Sequence, residues 1–208
     1  MMRYVWMTWR YLVRMLPGVL AALALYVCLY PWRRQRLKAA GLVSPRLREA
    51  MLALFWMFCG GMVMLTLTPW GFDLSAVLCW GWAEPFFWMG DVNLVPFQTF
   101  ASEGVLLYTL LGNIVMFLPF GFFPAMLRAD AGIGPYGQKY TWKRALVTGL
   151  CVTGFIECWQ LLVGRAFDID DLMLNTLGTL CGFWLWRLLR RAAPAFAERF
   201  WVKANSVT

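Results

Sequence analysis

From Ala50 to Trp70 the chain reads AMLALFWMFCGGMVMLTLTPW, without a single charged side chain. A helix of this sequence is apolar on every side, so no orientation at a water-facing surface would hide it. It is also about as long as the ~20 residues a helix needs to cross the hydrocarbon core of a bilayer. Four further runs are mostly apolar: Leu16 to Trp32, Val105 to Leu127, Ala145 to Val163, which holds Glu157, and Leu172 to Leu189. The last contains Arg187, whose long stem lets the guanidinium snorkel to the headgroups. The expected fold is all-α, a polytopic transmembrane helix bundle of about five spans.

Composition agrees. Charged residues are 14% and hydrophobic residues 61% of the 208, too few charges to cover a soluble domain of this size. The net charge of +8 is carried in short clusters between the apolar runs. That is the pattern of membrane orientation, so nucleic acid is not an expected partner. The opening, MMRYVWMTWRYLVRMLPGVLAALALYVC, has a basic start but no small-residue cleavage site. It reads as a retained interfacial anchor.

The loops orient the bundle. Arg33, Arg34, Arg36, Lys38, Arg46 and Arg48 fill the first; Lys139, Lys143 and Arg144 follow the third span, with Arg128 at its edge. Arg190, Arg191, Arg199 and Lys203 mark the tail, whereas the long second loop has no Lys or Arg. The positive-inside rule makes the basic loops and the C-terminus cytoplasmic in a multi-pass membrane protein. The second loop then faces outward. Its Gly, Pro and acidic residues, with Trp80, Trp82, Phe86, Phe87 and Trp88, suit an aromatic-rich outer loop or re-entrant segment. With five spans the N-terminus lies outside despite Arg3, Arg10 and Arg14, so either the denser first loop outweighs them or the first segment does not fully cross.

All cysteines but Cys79 lie in candidate spans and none forms a CxxC pair, which excludes a disulfide framework or zinc site. There is no histidine. No metal or cofactor is expected, weak Mg²⁺ or Ca²⁺ binding by carboxylates excepted.

Polar residues concentrate in one stretch, FIECWQLLVGRAFDIDDLMLNTLG, from Phe155 to Gly178. On the fourth span Thr153, Glu157, Gln160 and Gly164 share a helical face, and on the fifth Asp171, Asn175, Gly178 and Gly182 do so. Thr109, Asn113 and Phe117 make a similar stripe on the third, followed by a bend at FLPFGFFP. Gly178 and Gly182 form a small-xxx-small packing motif. The short connection makes the fourth and fifth spans antiparallel neighbours, with Glu157, Asn113 and Asn175 in the outer half of the membrane and Arg165 and Asp168 capping them from above. Asp170 points away from Asp171 and reads as a helix cap. Two readings stand for this cluster. It hydrogen-bonds the helices together, or it builds a site, since an ionised Glu in hydrocarbon costs on the order of 2.5–3.5 kcal/mol and is seldom kept without a role.

NLVPF, NIVMFLPFGFFP, the E-x-x-Q pair, G-R and the D-x-x-D-x-x-x-N-x-x-G-x-x-x-G run together, in this order, resemble the VanZ-like family over roughly Thr66 to Trp186. The resemblance divides the chain into an N-terminal segment, first span and basic loop over 1–49, a VanZ-like transmembrane domain over 50–190, and a basic tail over 191–208. It carries over onto Asn93, Pro96 and Phe97, onto Asn113, Phe117, Pro119 and Gly121, and onto Glu157, Gln160, Arg165, Asp168, Asp171 and Asn175. It implies a cell-envelope role, in a family whose named member is associated with resistance to teicoplanin-type glycopeptides, and it brings no established chemistry.

The expected ligand-binding residues are Asn113, Glu157, Gln160, Arg165, Asp168, Asp171 and Asn175. Membrane lipids are the expected partners, with a lipid-linked cell-wall precursor or a lipoglycopeptide as ligand of an outward-facing polar pocket. The alternative is an intramembrane enzyme acting on a phospho- or glycolipid through carboxylates. A transporter fits less well, because no inverted repeat is evident.

Overall fold

The computed structural model describes residues 2–69, 87, 89–97, 106–127 and 140–204. Five of its helices are long and apolar enough to cross a membrane. They are α1 (Met2–Ala39), α2 (Arg46–Thr66), α3 (Leu106–Leu127), α4 (Trp142–Leu162) and α5 (Ile169–Ala192), and a short α6 (Pro194–Ala197) follows. The chain is thus a multi-pass membrane protein with a helical bundle fold. Its outward surface is that of lipid-facing helices: Leu16, Leu20 and Val27 of α1, and Val147, Leu150 and Phe155 of α4, are exposed.

One element differs from the hydropathy reading. α1 has 38 residues, about 57 Å at the rise of an α-helix, where Leu16 to Trp32 is the expected span. Arg10 and Arg14 interrupt the apolar run but not the helix, because arginine is a good helix former. FLPFGFFP lies within the third span read from hydropathy, and α3 does not end at Pro119 or Pro124 but runs on to Leu127. Ending the helix there would leave backbone groups unpaired at membrane depth. Trp80, Trp82, Phe86 and Trp88 of the expected aromatic loop, Cys79, Arg128 and Lys139 lie outside the described residues, as does the side chain of Thr109.

α3 and α5 form the spine. They run in parallel, and glycines let their backbones touch: a Cβ on Gly178 would meet the Ile114 carbonyl, one on Gly182 the Leu118 carbonyl, and one on Gly121 the Thr179 carbonyl. The GTLCG motif is therefore used, with α3 as its partner, while α4 packs on α5 from the other side. α1 and α2 make a second close pair, antiparallel, in which Gly18 and Gly60 face each other's carbonyls.

One end of the bundle gathers the basic segments. β1 (Leu42–Val43) pairs antiparallel with β4 (Lys203–Ala204), which brings the tail beside the first loop. Leu37, Leu42 and Val202 are buried together there. Beneath them Ala125, Met126, Ala145, Phe183, Trp186, Ala197 and Phe200 form an apolar cluster. Arg48 is buried at this end and its Nη2 donates to the Leu127 carbonyl at 2.7 Å, a cation at the negative end of α3. Arg33 pairs with Glu49, whose Oε2 also accepts from the Tyr26 hydroxyl at 2.7 Å.

Candidate functional site

The opposite end is built around the α4–α5 hairpin. Gly164, at φ 72°, takes the left-handed conformation that ends α4. The Arg165 N–H then turns back to the Gln160 carbonyl at 2.9 Å. β3 (Phe167–Asp168) follows and pairs in parallel with β2 (Val92–Asn93), setting Asn93 beside Asp168. Two more backbone bonds stitch these segments together: Gly90 N–H to the Leu161 carbonyl and Phe167 N–H to the Asp91 carbonyl, both 2.8 Å. Gly90 has no room for a side chain, since a Cβ there would strike the Arg165 carbonyl.

The carboxylates are spent on this architecture one after another. Glu157, 1% exposed, accepts the Asp168 N–H through Oε2 at 3.0 Å. The Asp168 side chain caps α5 by accepting the Asp170 N–H at 2.9 Å. Asp170, also 1% exposed, accepts the Phe97 N–H through Oδ1 at 2.6 Å. Phe97 stands at φ 66°, a conformation costly for an aromatic residue, and the buried carboxylate holds it there. Asp171 accepts from the Asn113 amide and ties α5 to α3.

Asn175 lies one turn deeper and its Nδ2 donates to the Thr153 hydroxyl at 3.0 Å, joining α5 to α4. Among the described residues its Oδ1 has no partner, although it is buried. Gln160 turns the other way, donating to the Thr66 carbonyl of α2 at 3.4 Å. Arg165 goes there too: its Nη1 donates to the Leu65 and Thr66 carbonyls, both at 3.3 Å. Trp159 Nε1 donates to the Leu67 carbonyl at 2.7 Å. Carbonyls at a helix C-terminus have no partner within the helix, so these donors satisfy them.

Arg14 of α1 joins the same cluster. Its Nη2 donates to the Thr68 carbonyl at 3.1 Å, the Thr68 hydroxyl at 2.5 Å and the Pro69 carbonyl at 2.7 Å. Burial pushes the Arg165 pKa down, and the neighbouring positive charge of Arg14 pushes it the same way, while Glu157 and Asp171 oppose both. Two guanidiniums and two carboxylates therefore share one region.

The seven expected site residues divide accordingly. Asn113, Glu157, Arg165, Asp168 and Asp171 gather around the hairpin; Asn175 points into the α4–α5 seam, and Gln160 to α2. Asp168 caps α5, and Asp170 is not a cap but a latch on the NLVPF segment. Arg14 is absent from the sequence reading of the site, where it counts only as a topology charge. Its position at the edge of the first apolar run was the available signal. Phe87 packs edge-on against Trp159, with ring centroids 6.0 Å apart. Among the described residues no three His, Cys, Asp or Glu side chains are grouped to hold a metal ion.

The VanZ/LLP1 family model matches residues 50–190, a range that includes the hairpin, the NLVPF segment and all of α2 to α5 except the first residues of α2 and the last two of α5. No curated protein and no solved structure matches the chain.

Proposed function

This chain belongs to the VanZ/LLP1 family, and we propose that its hairpin end binds the anionic headgroup of a lipid-linked envelope component in the outer leaflet of a bacterial cytoplasmic membrane. The observation that carries this reading is the convergence of two guanidiniums where α2 ends, Arg165 on the Leu65 and Thr66 carbonyls and Arg14 on Thr68 and Pro69 just beyond, near Glu157 and Asp171. Guanidinium groups recognise phosphate and carboxylate in a planar, bidentate way. The Arg14 Nε is buried and makes no hydrogen bond among the described residues, so it retains a donor for a ligand oxygen. The basic clusters at the other end favour a cytoplasmic location for that end and its C-terminus, which turns the hairpin outward. A lipid-linked cell-wall precursor or a lipoglycopeptide meets these demands, and capture of either links the chain to glycopeptide resistance.

The test is a complementation assay for teicoplanin resistance with folded yield followed in parallel. Arg165→Ala, Glu157→Gln and Asp168→Asn are expected to abolish resistance while folded protein survives, and Ile156→Leu to change neither. Loss of folded protein in step with resistance would mean that these groups only hold helices together. A second reading rests on the buried Glu157 and the half-buried Asp171 both lying near Arg165: carboxylate-driven turnover of a phospho- or glycolipid. Conversion of a labelled lipid by the purified protein would favour it over binding.

A further inference from the structure

We propose a second anion site, at the basic end of the bundle, that takes the phosphate of an amphiphile and is independent of the hairpin. A cavity of ≈ 560 Å³ opens there between the start of α4 and the end of α5, within the size range of small-molecule sites. Its buried end is apolar, with Phe183 1% and Trp186 2% exposed. Its rim carries Lys143, Arg187, Arg190 and Arg191, and no carboxylate is among the described residues that line it. Lys143, Arg187 and Arg191 form no ion pair among the described residues.

Two details go beyond the positive charge expected near a membrane surface. The rim cations rest on aromatic faces: Lys143 lies 5.8 Å from the Trp142 ring, Arg187 5.5 Å from Trp184 and Arg190 5.6 Å from Trp201. Such contacts fix the side chains through the π-faces and leave the edge N–H groups of the Arg187 guanidinium for an incoming anion. The second detail is Trp186, whose indole N–H is buried without an acceptor among the described residues. A buried donor without a partner is costly, and an oxygen entering the cavity with a ligand would relieve that cost. An apolar interior, a buried lone donor and a cationic rim together suit a phosphate ester with an apolar body. A phospholipid of the adjacent leaflet and a soluble organic phosphate share that chemistry.

Native mass spectrometry of the full chain in detergent separates the sources. Dioctanoyl phosphatidic acid is titrated against dioctanoylglycerol, which lacks the phosphate, and against glycerol 3-phosphate, which lacks the chains. Phosphatidic acid is expected to bind and dioctanoylglycerol not to. Arg187→Gln with Arg191→Gln should weaken binding about thirtyfold, on the scale of two surface cations facing an anionic lipid. Trp186→Phe, which keeps an aromatic ring but removes the N–H, should weaken it severalfold. The exposed pair Arg36→Gln and Arg199→Gln, at the same end but outside the cavity, should leave it unchanged, as should Arg165→Ala. Binding of glycerol 3-phosphate as tight as that of the lipid would support the site with a soluble source. Equal binding of dioctanoylglycerol, an equal loss in the control pair, or no binding to the wild type would overturn the proposal.

Discussion

The two ends of this bundle handle charge in opposite ways. At the hairpin end the carboxyl groups are inside: Glu157 and Asp170 are each 1% exposed, and each accepts a backbone N–H. At the basic end the cations are outside, with Lys143, Arg187 and Arg191 exposed around an apolar cluster of Phe183, Trp186 and Phe200. The difference follows from what each charge can reach. A long Lys or Arg stem at a helix end snorkels to water and needs no partner. A short carboxylate buried between packed segments cannot, so it survives only where the chain supplies donors. Arg48, buried and bonded to the Leu127 carbonyl, is the cation at the basic end that obeys the hairpin's rule.

Substitutions can break or sharpen this contrast. The largest effect is expected where the two ends share support. Gly182→Val drives a side chain into the Leu118 carbonyl, and should cost about 4 kcal/mol or more. Size-exclusion chromatography in detergent should then show no monodisperse protein, with both ends lost together. Survival of either end alone would show that α3 and α5 are not a common spine.

Next comes Asp170→Ala, which removes the acceptor of the Phe97 N–H and should cost roughly 2–3 kcal/mol. Hydrogen exchange should speed up over 89–97 and remain unchanged in the tail, and acceleration at both ends would break the contrast. Arg48→Met removes the bond to the Leu127 carbonyl but keeps an apolar stem. Its cost is expected to be about 1–2 kcal/mol, read as a lower thermal midpoint in detergent. Smallest of all is Arg191→Gln, which should leave that midpoint within about 2 °C of the wild type. A larger drop would mean that the rim cations hold the fold.

Much of the architecture was legible before any coordinates. The runs from Ala50 to Trp70 and from Val105 to Leu127 each match a helix, α2 and α3, within a few residues. The hairpin connecting the fourth and fifth helices could be read from the short polar break between them. Less legible was α1, because hydropathy stops at Arg14 whereas helix propensity does not. Prolines 119 and 124 lie inside the third span, and the helix runs on through both to Leu127.

Among the polar residues, spacing identified the faces but not their partners. Asp171 and Asn175 lie on one face of α5, yet one meets Asn113 of α3 and the other Thr153 of α4. Asp170 points away from that face, as helical geometry requires, and finds Phe97, 73 residues away in the chain. No local pattern foretells that meeting.

Membrane crossing is written in local sequence because the cost of placing a side chain in hydrocarbon is incurred residue by residue, whatever its neighbours. Five apolar runs and the glycines of GTLCG are therefore readable one segment at a time. Which helix receives those glycines depends on where distant segments return, and α3, not the adjacent α4, fills the groove. The same holds for Arg14, a basic residue near the chain's start until folding sets it beside Arg165. Pairing is a property of contacts between segments far apart in sequence, so it emerges only when the helices pack.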